Sequence, residues 1–331
     1  MSIDPELLKQ IVSEAVKAAQ VEAKKEPEID QWALAEAPLE EEIDLSKPEY
    51  EEMILQPSDI SEKKELSAFK THTFLDLLFM DENNNCLNGI PYGVQLGIVG
   101  TSGSGKSILI EEIAVRVANE GKKVLLVSSE DIFISDTPRF DLQSRLMQKA
   151  KILGLNWDTI KENLYVLDAI NSPRLREWDF FAEIYRYAYE TREFELALID
   201  SITMLESYRG ALKYRLMELS RYNQVRGITA IYVNQRATED FDKLSIAGGI
   251  GLAHGLDANI IIDVGRTYFS DQTAYLGKRG TIVNMCRVTD CRLCSFIREH
   301  IPLTITNNGF LRLTDKGMEL IKQFYSQKES D

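Results

Sequence analysis

Val94-Gln95-Leu96-Gly97-Ile98-Val99-Gly100-Thr101-Ser102-Gly103-Ser104-Gly105-Lys106-Ser107 is the stretch on which the fold of this chain turns. Val94–Val99 is a short apolar run with the length and bounds of a buried strand, and a helix is expected to begin near Lys106. Between them, Gly100–Ser107 fits the pattern G-x-x-x-x-G-K-[ST]. Glycines let such a loop turn its N–H groups inward around phosphate oxygens, and the helix N-terminus adds its positive end. Lys106 is then placed to reach β- and γ-phosphates, and the Ser107 hydroxyl to bind Mg²⁺.

Working outward, Val124–Val127, Leu164–Leu167, Leu196–Ile199, Ala230–Val233 and Asn259–Asp263 are further short apolar runs. Most are bounded by Gly, Asp, Asn or Ser, and helix-period segments separate several of them. The pattern predicts an α/β fold, a mostly parallel twisted sheet flanked by helices. From Thr281 to Leu313 the texture changes to β-strands with a turn at Asn307-Asn308-Gly309, and a short helix is expected over Asp315–Gln327.

Acidic and amide residues sit where these strands end. Asp200 closes the run Leu196-Ala197-Leu198-Ile199, which suits a metal-holding carboxylate. Glu130 and Asp131 follow Val124–Ser129 directly, on a strand expected to neighbour that of Gly100. Open α/β sheets bind ligands at this edge, so Glu130 is the candidate general base for a water attacking a γ-phosphate. Asp131 reads alternatively as the N-cap of the next helix. Asn234-Gln235 closes the run before it, with amides placed to sense the same phosphate.

The chain has 331 residues, 38 Lys+Arg against 52 Asp+Glu, and a net charge of −14. That is room for one large α/β domain and an appendage. Residues 1–70 carry 18 acids and 8 lysines, a net of −10, so the remainder carries −4. A strongly basic nucleic-acid binder is excluded by this balance, although a local basic groove is not. Residues 3–20 have the apolar spacing of an amphipathic helix, and the acidic, Pro-punctuated stretch after them reads as a flexible linker. The expected organisation is a helix over 1–25, a linker over 26–68 and one domain over 69–331. No apolar run approaches the length of a membrane span and the N-terminus lacks a signal-peptide layout, so the expected location is the cytoplasm and no membrane partner is expected.

Four cysteines do not make a disulfide framework in such a chain. Cys286, Cys291 and Cys294 have the C-x4-C-x2-C spacing that plant-type iron–sulfur proteins combine with a distant fourth cysteine, a part Cys86 could fill. The alternation of Val283–Asp290 favours instead small apolar residues on and beside a buried strand.

Taken together, the motifs resemble the RecA/RadA superfamily of P-loop ATPases, in particular its archaeal and eukaryotic strand-exchange branch, with features of the KaiC-like branch. The resemblance spans roughly residues 70–315. It rests on Gly100–Ser107, Ser128–Asp131, Lys161–Asn171, Leu198–Ser201, Arg209-Gly210-x-Leu212-x-x-Arg215, Asn234-Gln235, Gly248–His254 and Cys286–Cys291. It implies a RecA-like core in which Lys106, Ser107 and Asp200 hold Mg-ATP, Glu130 positions the attacking water and Gln235 senses the γ-phosphate. It further implies that His254, Arg287 and Asp290 face the nucleotide of the next subunit in a ring or filament. Arg209 and Gly210 fall in the family's first DNA-binding loop and Arg236 in its second, with Arg215 on the helix between.

The segment after Arg236 is short and acidic, with Glu239, Asp240 and Asp242, which repels phosphates. Met285 replaces the lysine that the KaiC-like branch carries two places before Arg287. Two functions follow: an ATP-dependent, single-stranded-DNA-binding ATPase of recombination and repair, or a KaiC-like regulatory ATPase whose output is protein contact through the acidic arm. Removing residues 1–65 is expected to leave a soluble, nucleotide-binding remainder; insoluble protein would make the arm part of the core.

Overall fold

The structure, a computed structural model, describes residues 65–205, 212–235, 255–266 and 282–327. The expected helix over 3–20 and the linker up to residue 64 lie outside the described residues. Three two-residue strands open the described region: β1 (Ala68–Phe69), β2 (Phe79–Met80) and β3 (Ile90–Pro91). The alternating part follows: β4 (Gln95–Gly100), α1 (Lys106–Asn119), β5 (Val124–Ser128), α2 (Leu142–Ile152), α3 (Trp157–Asn163) and β6 (Leu164–Asp168). It continues through α4 (Trp178–Arg192), β7 (Leu196–Asp200), α5 (Leu212–Arg226), β8 (Thr229–Gln235) and β9 (Ala258–Arg266). The end is β10 (Ile282–Cys291), β11 (Ser295–Phe296), β12 (Ile301–Ile305), β13 (Leu311–Leu313) and α6 (Asp315–Gln327).

Nine strands form one sheet in the order β13-β12-β10-β9-β4-β8-β7-β5-β6. The β9-β4-β8-β7-β5-β6 part is parallel, and β10, β12 and β13 extend it antiparallel. The strand carrying Glu130 is therefore not the neighbour of the strand carrying Gly100, as the sequence had suggested: β8 and β7 lie between them. The chain leaves β4 for β5, turns at the edge strand β6, and returns through β7 and β8 before crossing to β9. Such reversals open a crevice at the carboxyl ends of the strands.

Each face of the sheet buries its own core. Ile98 of β4 and Leu109, Ile113 and Val117 of α1 pack with Leu146 of α2 and Ile160 of α3. On the other face, Ala197 and Ile199 of β7 and Tyr232 of β8 pack against Phe181 and Tyr185 of α4 and Leu216 of α5. The period-two alternation along β7 and β8 separates the two sets, as strands buried on both faces require. Helix α1 is also tied to the antiparallel extension, because Arg312 of β13 donates to the fully buried Glu112, which also accepts from Arg116 at 2.6 Å.

At the amino ends of β4 and β8 a polar network crosses the second core. Gln95 donates through Nε2 to the Ile228 carbonyl at 2.8 Å and accepts from the Tyr232 hydroxyl at 2.8 Å. Asn223 donates to the Tyr232 hydroxyl at 2.9 Å and accepts from the Tyr185 hydroxyl at 3.0 Å. All four side chains are fully buried. Burial pushes both phenols up, so they remain neutral donors. A network so enclosed is favourable only while every member is satisfied. Asn223→Ala leaves two hydroxyls in the core short of a partner and is expected to lower unfolding stability by about 2–4 kcal/mol. Denaturant midpoints check this, with nucleotide affinity unchanged because the network lies at the edge opposite Gly100; an unchanged midpoint would contradict it.

Candidate active site

The turn between β4 and α1 is built from conformations that only glycine tolerates. A side chain on Gly100 would meet the Ile262 carbonyl oxygen of β9 at 1.9 Å, and Gly105 caps α1 with φ +94°. No side chain caps that helix. Its first-turn N–H groups, with their share of the helix dipole, therefore face the loop. The loop is held from β9 and β10: Thr101 donates its N–H to Asp263 at 3.2 Å, and the Asn284 amide donates to the Ser104 carbonyl at 2.8 Å. Asp263 and Asn284 carry no motif, and sequence reading missed them. Their only signal was the ending of one apolar run in an acid.

Lys106 donates from Nζ to the carbonyls of Gly100 and Thr101, both at 2.8 Å. Burial lowers its pKa, while Asp200, Glu130 and Asp263 act in the opposite sense. The Ser107 hydroxyl hydrogen-bonds the Asp200 carboxylate, so the two residues expected to hold a metal ion are brought together. A hydroxyl beside one carboxylate is an oxygen-only donor pair of the kind Mg²⁺ takes, the ion keeping several waters. The residues present therefore fit Mg²⁺ with a nucleotide phosphate.

Glu130 reaches this point although its strand is three places from β4. The ends of β5 and β7 are joined by reciprocal bonds, Ser201 N–H to Ser129 Oγ at 2.8 Å and Ser129 Oγ to the Ser201 carbonyl at 2.9 Å. The peptide between Asp200 and Ser201 is cis. Ser201 Oγ donates to Glu130 Oε1 at 2.7 Å, and Gln235 Nε2 from the end of β8 donates to the same oxygen at 3.3 Å. Ser102, Gly103, Gly105, Lys106, Ser107, Glu130, Asp200 and Gln235 line one cavity. Glu130 and Gln235 are exposed toward it.

Two sequence readings are corrected here. Asp131 does not cap the following helix: Asp141 does, accepting from Ser144 N–H at 2.9 Å, and Asp131 pairs with Arg145 at 2.6 Å. Arg145 also meets Glu111 of α1 at 3.0 Å, so Asp131 belongs to a charge cluster beside α1. Asn234 does not share the cavity with Gln235. Strand alternation turns its side chain to the other face, where it is fully buried and makes no hydrogen bond among the described residues.

The antiparallel pairing sets Arg287 and Asp290 on β10, two strands from β4. Arg287 is opposite Ile261 on β9, which is level with Val99, one residue before Gly100. Asp290 is opposite Asn259, which in turn is level with Gly97 near the start of β4. Asp290 accepts from Thr289 Oγ1 at 2.8 Å and from the Asn259 amide at 3.2 Å. Arg215 on α5 lies 3.6 Å from Asp179 and 3.9 Å from Glu218. Arg209, Gly210, Arg236 and His254 lie outside the described residues. Cys286 is fully buried in the first core, with Cys291 and Cys294 packed against it.

A mostly parallel sheet with this loop at its switch point, and with Lys106, Ser107 and Asp200 gathered at its carboxyl edge, defines a P-loop ATPase core of the RecA type. The family model described as "ATPase: KaiC" matches residues 73–315, and the chain belongs to that family. A crystal structure of a KaiC-like protein from the hyperthermophilic archaeon Pyrococcus horikoshii is similar, with a TM-score of 0.56 and 16% identity. The match covers 75% of this chain and 99% of the archaeal one, and it shows the fold. No curated protein matches. Among the described residues, no helix is long and apolar enough to cross a membrane.

Burial raises the Asp200 pKa from 3.8 to about 6, with Glu130 adding to the rise and the Ser107 bond and Lys106 opposing it. A raised carboxylate costs stability above its folded pKa, and the cost is recovered as pH falls through that value. Asp200→Asn is therefore expected to unfold at higher temperature than the parent protein at pH 7.5, by up to about 3 kcal/mol, with the gap closing between about pH 6 and pH 4. Thermal unfolding across that range checks it, and a variant less stable at pH 7.5 would contradict it.

Proposed function

We propose that this chain is an oligomeric Mg-ATP hydrolase of the KaiC type whose nucleotide cycle governs contact with another protein. The observation that carries the hydrolytic part is the convergence of Glu130 and Gln235 at one cavity with Lys106, Ser107 and Asp200. In this reading Gly100–Gly105 and the start of α1 bind the phosphates, and Lys106 exchanges loop carbonyls for β- and γ-oxygens. Ser107 and Asp200 hold Mg²⁺, which when bound neutralises phosphate charge. Glu130 orients and deprotonates the attacking water, and its bond to Gln235 passes the state of the γ-phosphate to the segment beyond β8.

Arg287, His254 and Asp290 serve the nucleotide of a neighbouring copy, Asp290 at its adenine, in a ring or filament of identical subunits. The position of Arg287 and Asp290 on β10, two strands from β4 and outside the cavity that Lys106, Ser107 and Asp200 line, supports action across an interface. The protein-facing part rests on charge. Net charge is −14, concentrated in residues 1–70, and Arg215 lies among acids. Residues 1–25 as a helix on a linker over 26–68 form the docking element, and the cytoplasm is the setting.

A second reading is a RadA-type recombinase paralogue acting in DNA recombination and repair. It is favoured by Arg209-Gly210-x-Leu212-x-x-Arg215 and Gly248–His254, with Arg209, Gly210, Arg215 and Arg236 contacting single-stranded DNA. ATP turnover with and without single-stranded DNA, at low and near-physiological salt, separates the two. Turnover indifferent to DNA at both salts is the expected result. Stimulation that falls steeply with salt would overturn the protein-facing reading in favour of the second.

A further inference from the structure

Cys291 ends β10 and Cys294 follows three residues later, in the turn that leads to β11. Their sulfurs lie 3.7 Å apart, close enough for a thiol of one to donate to the other. The Cys294 thiol faces Cys291 Sγ, and the backbone N–H groups of Leu293 and Cys294 lie on the same side of it and favour its charged form. Donors converging on one sulfur favour its thiolate, so the Cys291 pKa is lowered. Asp257 is the nearby carboxylate acting in the opposite sense. The Cys294 thiol is pushed up by its contact with Cys291 and by burial, the opposite direction to Cys291.

Neither sulfur is sealed in the core. Cys291 and Cys294 together line a cavity with Met80, Arg298 and Phe324, and Cys291 also opens into the cavity lined by Arg287 and Asp290. Leu293, between them, is 44% exposed. The other two cysteines lack this arrangement. Cys286 is fully buried with its thiol pushed up by burial, and Cys86 donates to the Asp76 carbonyl at 3.5 Å. Among the described residues no cluster of three or more His, Cys, Asp or Glu side chains could hold a metal ion.

We propose that Cys291 and Cys294 form a dithiol–disulfide redox site that reacts with an incoming small-molecule or protein disulfide, Cys291 being the attacking sulfur. The Cys291 thiolate attacks one sulfur of the incoming disulfide. A bond forms to Cys291, the incoming S–S bond breaks, and the distal half leaves as a thiolate. Cys294 loses its proton and attacks Cys291 Sγ, expelling the second half as a thiolate. The protein pair is oxidised by two electrons and the incoming disulfide is reduced to two thiols: one leaving sulfur takes the Cys294 proton and the other takes from solvent the proton that Cys291 released on forming its thiolate. A cytosolic disulfide of this kind is ordinarily transient and functional, in contrast to the permanent bridges of secreted proteins.

The test uses the full chain in glutathione redox buffers, quenched with acid, alkylated and mapped by mass spectrometry. The expected result is a disulfide joining Cys291 and Cys294, reversed by dithiothreitol, with Cys86 and Cys286 still alkylated. Cys294→Ser is expected to stop at a glutathione adduct on Cys291. Cys291→Ser is expected to form an adduct on Cys294 at least about tenfold more slowly. The wild-type map stands without either variant. First reaction at Cys86, a disulfide that includes Cys86, or equal adduct rates on the two variants would overturn the proposal.

Discussion

The close approach of the Ile262 carbonyl to the α-carbon of Gly100 sets the geometry of the carboxyl edge. Because no side chain fits there, the backbone of β4 turns under β9, and α1 starts with bare N–H groups aimed at the turn. The bonds from Thr101 to Asp263 and from Asn284 to Ser104 hold that turn, so the antiparallel extension supports a loop that belongs to the parallel part. The start of α1, with Lys106 and Ser107, takes its position from it.

A second constraint is the stitching of β5 to β7. Two serines, Ser129 and Ser201, exchange hydrogen bonds and bring Glu130 back across two strands to meet Gln235. Glu130 is thereby tethered to the segment that follows Asp200 and to the amide at the end of β8. The ends of three strands, β5, β7 and β8, thus meet at one carboxylate.

Much of this was legible in residues 94–107, since glycine spacing, the flanking apolar run and the helix after Lys106 all follow from backbone sterics. Strand positions from β4 to β9 and the helix over Asp315–Gln327 were legible from apolar periodicity for the same reason. Strand order was not: local sequence carries no record that β8 and β7 come between β4 and β5, because that order is fixed by crossovers and packing. Asp263 and Asn284 were hidden because a support residue acts through one hydrogen bond and needs no motif. Asp141, rather than Asp131, is the cap because the helix begins only at Leu142, eleven residues beyond Asp131, and where it begins is set by packing that the local sequence does not record. Asn234 and Gln235 looked equivalent until strand alternation divided them between two faces.

The proposed function turns on Glu130 acting as the base at a nucleotide that other residues hold. Single-turnover hydrolysis of Mg-ATP by Glu130→Gln, with ATP affinity measured on the same protein, tests it most directly. Unchanged affinity and hydrolysis slowed by at least about a hundredfold are expected, since the amide keeps the size of the carboxylate and loses its basicity. Hydrolysis at the parent rate would contradict it.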